Sequence, residues 1–358
     1  MRHRQRVIKA AARPKDNIIH ITIAALVLTG IAAFVFFHRS ELNSLAEAIR
    51  SGRWYWLVIA AVAEWLYFIN EAWCFSRAFR LTGTNASASS TVSVLLGAQA
   101  LSVVMPSEFL ADQGIFFVFA RRLGKSPALM ALGVSLAEMA ELFSFVAVLI
   151  VGFLFLAAYG TIEPFEIAAG YIVMLLCLLI VAMLAMVFWK AQDVGRVLAV
   201  VQKLWGRMCQ AVHSKQLRND WAKIMDRKLA GGIEIARRNP RGLLSIVLIA
   251  LLGHVIRIAC LIAVIEAFGL SVAIWKVITA YAVGTLVWIA SPIPGGIGLV
   301  EGAYSLVFVS LGVPASAAAT LALAYRGIIF WLPLGAGTLA LRLLPKLDFT
   351  SRPRMLPP

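Results

Sequence analysis

The sequence predicts an all-α polytopic membrane protein, and three observations carry that prediction. Of the 358 residues, 61% are hydrophobic and 14% charged, with a mean hydropathy of +0.85. Soluble chains are about half apolar and about a quarter charged. Several apolar runs exceed the ~18 residues that cross a bilayer as a helix. Lys and Arg cluster in some of the gaps between runs and are nearly missing from others, as the positive-inside rule requires. A membrane barrel needs alternating segments of about ten residues, and the sequence has none.

The elements follow in order. Residues 1–17 form a basic cytoplasmic arm with Arg2, Arg4, Arg6, Lys9, Arg13 and Lys15. The run at 18–38 is a first span. It lacks a small-residue cleavage site, so it reads as an anchor rather than a removed peptide. Residues 39–53 are nearly balanced in charge and lie outside. A span at 54–76 exits at Arg77 and Arg80. An apolar segment at 88–105 stops at Pro106, and a short helix at 107–120 runs into Arg121, Arg122 and Lys125. A long span covers 127–158. The loop 160–166 has no Lys or Arg, and another span covers 167–189.

Residues 190–241 hold twelve Lys/Arg against four acids. Val194, Val197, Leu198, Val201, Leu204, Trp205 and Met208 recur there at helical spacing. That pattern fits an amphipathic helix on anionic inner-leaflet lipids, and equally a helix packed on its own domain. The second half has a span at 242–268, an apolar segment at 273–290, a break at 291–298, a short helix at 299–311 and a span at 315–342. The division is therefore a first membrane half at 18–189, with its repeat at about 54–158, the basic loop at 190–241, a second half at 242–345 and a cytoplasmic tail at 346–358. This makes about six full spans plus two hairpins, eight hydrophobic segments or more.

The net charge of +15 would suggest a nucleic-acid partner in a soluble chain. Here topology accounts for it, and no nucleic acid is expected. Of the 33 Lys/Arg, 27 fall on the cytoplasmic side and four outside, leaving Arg257 and Arg326 within the membrane. Both termini are therefore expected in the cytoplasm. Cys74, Cys177, Cys209 and Cys260 form no CxxC pair. Free thiols, no metal and no cofactor are expected.

The two halves resemble each other. "AFRL" at 78–81 matches "AFGL" at 267–270 at an offset of 189. Pro106 matches Pro294, and "RRLG" ending at Gly124 matches "VSLG" ending at Gly312, both at 188. The charge count runs 54–76 inward and 242–268 outward, so the repeat is inverted. The short helix of about 14 residues spans only ~21 Å at 1.5 Å per residue, less than a core of about 30 Å. The segments 88–120 and 273–311 therefore read as re-entrant hairpins from opposite sides, with two kinked spans per half as the alternative. Inverted repeats with broken helices mark transporter sites near the midplane.

Eleven ionisable groups fall at membrane depth: Glu64, Glu71, Glu108, Asp112, Glu138, Glu141, His254, Arg257, Glu266, Glu301 and Arg326. Each charge at a span centre costs about 2.5–3.5 kcal/mol on insertion scales, so pairing or a wet cavity is implied. At the break, Pro292 and Pro294 end one helix, and Gly295, Gly296 and Gly298 allow a tight turn. The next helix begins near Leu299 with its free N–H groups facing the break, an anion site suited to a lipid phosphate. Glu301 either joins that site or caps its own helix and neutralises Arg326; the two roles can coexist. Under the 188 offset Glu138 falls opposite Arg326, so the two could pair across the repeat axis or sit in separate ion pairs. Glu138 and Glu141 share a helix face, as do His254 and Arg257.

"PGGIGLVE" at 294–301 followed by "LAYRGIIFWLP" at 323–333 resembles the lysylphosphatidylglycerol synthase-type transmembrane family, whose late motifs are PGGxGxxE and a YR pair before aromatics. The family includes the flippase half of the bacterial multiple-peptide-resistance protein and stand-alone relatives linked to hopanoid and other lipid transport. The resemblance covers roughly 40–345 and implies a lipid flippase with a midplane polar cavity, working on a phospholipid, modified phospholipid or hopanoid-type lipid. Pro294, Gly295, Gly296, Gly298, Glu301, Arg326, Glu138, Glu141, Glu108, Asp112 and Arg257 are its candidate substrate-binding residues, with no catalytic residue.

The first half departs from the family. After Pro106 the family carries basic residues, but this chain reads "PSEFLADQGIFFVFARR", and "LAEMAELF" at 136–143 only loosely follows the pattern of the next span. A site acidic where relatives are basic favours a cationic, zwitterionic or weakly charged head group. Membrane lipids, a separate lipid-synthesising enzyme and a second copy of the chain are the expected partners. The alternatives are a membrane-embedded enzyme on lipid-linked substrates, built on Asp112 and Glu108, and a non-transporting partner of a lipid-modifying complex.

Overall fold

The computed structural model describes residues 53–103, 108–159, 239–291 and 293–343. The arm at 1–17, the spans at 18–38 and 167–189, the basic loop at 190–238 and the tail beyond 343 lie outside the described residues. The chain divides into two compact units, 1–54 and 55–358, and all that follows concerns the second unit and the helix that opens it.

The described residues are helical throughout. The elements are α1 (Trp54–Leu81), α2 (Ala88–Ser102), α3 (Glu108–Arg122), α4 (Pro127–Tyr159), α5 (Pro240–Ala267), α6 (Ile274–Ala290), a 3-10 turn at Pro294–Gly296, α7 (Leu299–Ser310), α8 (Ala315–Arg326), one π-helical turn at Gly327–Trp331 and α9 (Leu332–Leu343). Among them, Trp54–Leu81, Pro127–Tyr159, Pro240–Ala267 and Ala315–Leu339 are long and apolar enough to cross a membrane. The expected bounds agree to within a few residues. The span expected at 315–342 proves to be α8 and α9 joined by the π turn.

Local chemistry explains the helix ends. Ser87 caps α2 by accepting the Ser90 N–H at 3.3 Å. Asn239 caps α5 by accepting the Gly242 N–H at 2.9 Å, and Pro240 follows at the first helical position, where its missing N–H costs nothing. The break before α7 needs glycine. Gly295, Gly296 and Gly298 have φ of 66°, 64° and 84°, a region that costs any residue with a Cβ. The π turn puts an extra residue directly after Arg326, and such bulges recur at functional sites.

The outer faces are apolar: Val58, Val62, Trp65, Leu66, Ile69 and Trp73 on α1 and Leu244, Leu248, Leu252 and Val255 on α5 are exposed. Helices in lipid associate through close packing rather than through the hydrophobic effect. Two crossings display this. Where α4 meets α6, a Cβ on Gly152 would come within 2.9 Å of Ala282 Cβ, and Thr279 Oγ1 donates to the Gly152 carbonyl at 3.1 Å. Where α9 meets α2, Gly337 lies against the Leu96 carbonyl so closely that no Cβ fits. Helix α3 packs on α4, and α7 packs on α8.

Helices α1 and α5 run antiparallel and are stitched along their length. The Asn70 amide donates to the Ile249 carbonyl at 2.9 Å, and the Cys74 and Cys260 thiols donate to the Ile246 and Ala60 carbonyls at 3.8 and 3.4 Å. Both thiols are buried and free.

Candidate functional site

Helices α1 to α6, the glycine break and the π turn enclose a cavity of about 440 Å³. Its walls include Tyr67, Glu71, Glu138, Glu141, His254 and Arg257. These lie well inside α1, α4 and α5 rather than at their ends, so the cavity sits at the depth of the spanning segments. That volume falls within the ~300–1,000 Å³ of small-molecule sites.

The acidic wall comes from α1, α3 and α4. Glu138 and Glu141 both reach the cavity, as one helix face allows, and Asp112 and Glu71 join them. Glu138 stands beside Asp112. Gln113, beside Asp112, donates to the Ala131 carbonyl and to Ser135 Oγ, both at 3.3 Å, tying α3 to α4. Glu108 opens α3.

A second group is centred on His254. Its Nδ1 lies 2.7 Å from the Tyr281 hydroxyl, and its Nε2 lies 3.8 Å from Glu141 Oε2. The ring therefore links α5 to α6 and α4, beside the acidic wall.

Two buried arginines hold the rest. Arg257 Nη2 donates to Glu64 Oε1 at 3.2 Å, joining α5 to α1. Its guanidinium carbon lies 3.7 Å from the Tyr67 ring centre and 5.4 Å from that of Trp288, an attractive placement for a cation. Arg326 Nε donates to Glu301 Oε1 at 3.0 Å, and its Nη2 donates to the Gly295 carbonyl. Its guanidinium carbon lies 4.3 Å from the Phe330 ring centre. The second oxygen of Glu301 accepts the Gly298 N–H at 2.8 Å.

Sequence left two partners open for Arg326. The structure gives Glu301; Glu138 instead meets Asp112. Glu301 both caps α7 and neutralises Arg326, so a carboxylate of the chain occupies the start of the helix where a phosphate was expected. The Gly296 N–H is likewise taken, by the Ile293 carbonyl. Gly295 and Gly296 line the cavity, whereas Gly298, Glu301 and Arg326 do not. Pro294 opens the 3-10 turn. Glu266 lies at the end of α5, away from the cavity.

Sequence reasoning missed much of the neutral polar lining: Gln99 and Ser102 on α2, Ser135 on α4, and Tyr281, Thr285 and Trp288 on α6. The last three stand at i, i+4 and i+7, one face of a helix, and that spacing was the available signal. Among the described residues, no group of three or more His, Cys, Asp or Glu is arranged to hold a metal ion.

Comparison with known proteins agrees with this architecture. Residues 21–337 match the family described as the lysylphosphatidylglycerol synthase TM region. A UPF0104 membrane protein of Methanothermobacter thermautotrophicus is 28% identical over 167 residues, covering 46% of this chain and 49% of the relative. The chain thus matches about half the length of that relative. No solved structure matches.

Proposed function

The chain belongs to the lysylphosphatidylglycerol synthase transmembrane family, and from that premise we propose that it is a lipid transporter of the flippase type. It carries a phospholipid, a modified phospholipid or a hopanoid-type lipid across the bacterial inner membrane, with both termini in the cytoplasm and no covalent step. The observation that carries this reading is the cavity of about 440 Å³, lined by carboxylates, hydroxyls and an arginine among apolar spanning helices. A polar lining at that depth is costly unless something polar passes through it, and a lipid head group is such a cargo.

The halves act as an inverted repeat around this cavity, with 88–120 and 273–311 as re-entrant hairpins. Support comes from the way the halves interlock. Helix α4 of the first half packs on α6 of the second, and α9 of the second packs on α2 of the first, each crossing at a glycine. The basic segment 190–241 holds anionic inner-leaflet lipids, and a separate enzyme supplies the modified lipid. The exposed apolar faces allow a second copy of the chain to join.

Reconstitution tests the reading. Purified protein goes into liposomes carrying fluorescent lipids of several head groups, and movement between leaflets is followed with a quencher that cannot cross. Protein-dependent movement of at least one lipid is expected, lost when Ser102→Trp fills the cavity from α2. Folded protein that moves none of them, or a folded Ser102→Trp variant that moves lipid as fast as the parent, overturns the proposal.

A further inference from the structure

A guanidinium offers five N–H donors in a rigid planar fork. The two buried arginines use that capacity differently. Arg326 is 1% exposed. It hydrogen-bonds Glu301 and the Gly295 carbonyl and stands behind the cavity wall rather than in it. Arg257 is 7% exposed and forms part of the wall. Among the described residues its guanidinium donates one hydrogen bond, to Glu64. Its Nε is buried with no acceptor. Nε is sealed from the cavity, so the donors left for a ligand are those on Nη1 and the second on Nη2, which the bond to Glu64 does not use.

We propose that Arg257 is the residue that takes the anionic group of the transported lipid, a phosphate diester, from the cavity. This assignment rests on the lipid-transport reading above. The fork geometry of Arg matches phosphate oxygens better than a point charge does. The rings of Tyr67 and Trp288 hold the guanidinium in place, so little side-chain freedom is lost on binding. Only one side admits a phosphate. The space between Arg257 and Arg326 is about 10 Å³, room for about one water. Glu64 neutralises the guanidinium itself, so the arginine is stable without cargo. It also competes with the incoming anion, which keeps the complex weak enough to release.

The experiment measures bound lipid by native mass spectrometry of the full chain in detergent. The probes are zwitterionic phosphatidylethanolamine, whose ammonium suits the acidic wall, diacylglycerol with the same tails, and inorganic phosphate. The parent is expected to bind phosphatidylethanolamine well above diacylglycerol. Arg257→Gln and the double variant Glu64→Gln/Arg257→Gln should weaken phosphatidylethanolamine about ten- to a hundred-fold, leaving diacylglycerol unchanged. Glu64→Gln should bind as well as the parent or better, because it removes the competitor and keeps the guanidinium. A merely structural ion pair predicts equal losses from either single substitution. Equal losses, or unchanged binding in the folded double variant, overturn the assignment while the transport reading stands. The double variant leaves no lone buried charge, so it guards against misfolding. If the parent binds neither lipid, the lipid reading itself falls and the assignment with it. If inorganic phosphate binds in place of lipid, the anion is a soluble one and the lipid assignment is overturned.

Discussion

Arg326–Glu301 and Arg257–Glu64 are both buried ion pairs between helices, yet their surroundings differ. The first is closed. Glu301 also holds the Gly298 N–H, and Arg326 also holds the Gly295 carbonyl, so the pair stitches the glycine break to α8. The second is open on one side to a cavity. The difference teaches that a buried arginine is not by itself a binding residue. What matters is how many of its donors the fold has already taken. A pair that also satisfies backbone groups is part of the framework, and a pair with donors left over can serve a ligand.

The largest effect is expected from Arg326→Ala, which strips Glu301 of its counter-charge and the Gly295 carbonyl of its donor. Breaking a buried pair on one side costs about 3–5 kcal/mol. Thermal unfolding in detergent should show the lowest midpoint of all these variants, and a midpoint near the parent's would mean the break does not depend on Arg326. Removing both partners separates the two pairs more sharply. The double variant Glu301→Ala/Arg326→Ala should cost about 2–4 kcal/mol, because two part-buried backbone groups lose their partners at about 1–2 kcal/mol each, the lower part of the usual range. The double variant Glu64→Gln/Arg257→Gln should cost within about 1 kcal/mol, since uncharged replacements for a buried pair are often neutral. Equal midpoints for the two doubles would erase the distinction between closed and open pairs.

Smaller changes sharpen the same contrast. Gly295→Ala forces a Cβ onto a backbone with φ of 66° and against the Phe330 ring, 2.7 Å away. A loss of about 1–3 kcal/mol is expected, read as a lowered unfolding midpoint. Tyr281→Phe removes the hydroxyl 2.7 Å from His254 Nδ1 on the open side. A loss of about 1 kcal/mol is expected, and a midpoint above the parent's would show the hydroxyl is a burden there.

Much of the helical framework was legible because its signals are local. Apolar run length set the spans, and Pro294 with three glycines marked the break. The cavity was only half legible. Charged residues in apolar runs stand out, so Glu138, Glu141, Asp112 and Arg257 were found. Tyr281, Thr285, Gln99 and Ser102 were not, because hydroxyls and amides barely lower the hydropathy of a span. The π turn after Arg326 was also hidden, since the span 315–342 reads as continuous apolar helix.

The sequence by itself determined the class of protein, the order of helices, the place of the break and the set of charges that must be reconciled with a membrane. Those follow from composition, periodicity and backbone chemistry within a few residues of each other. Only the tertiary structure decided who pairs with whom. Glu64 and Arg257 are 193 residues apart and Glu301 and Arg326 are 25 apart; no local pattern links either pair. Their pairing is set by how antiparallel helices dock and by a turn that folds the chain back on itself. That docking left Arg257, and not Arg326, facing the cavity.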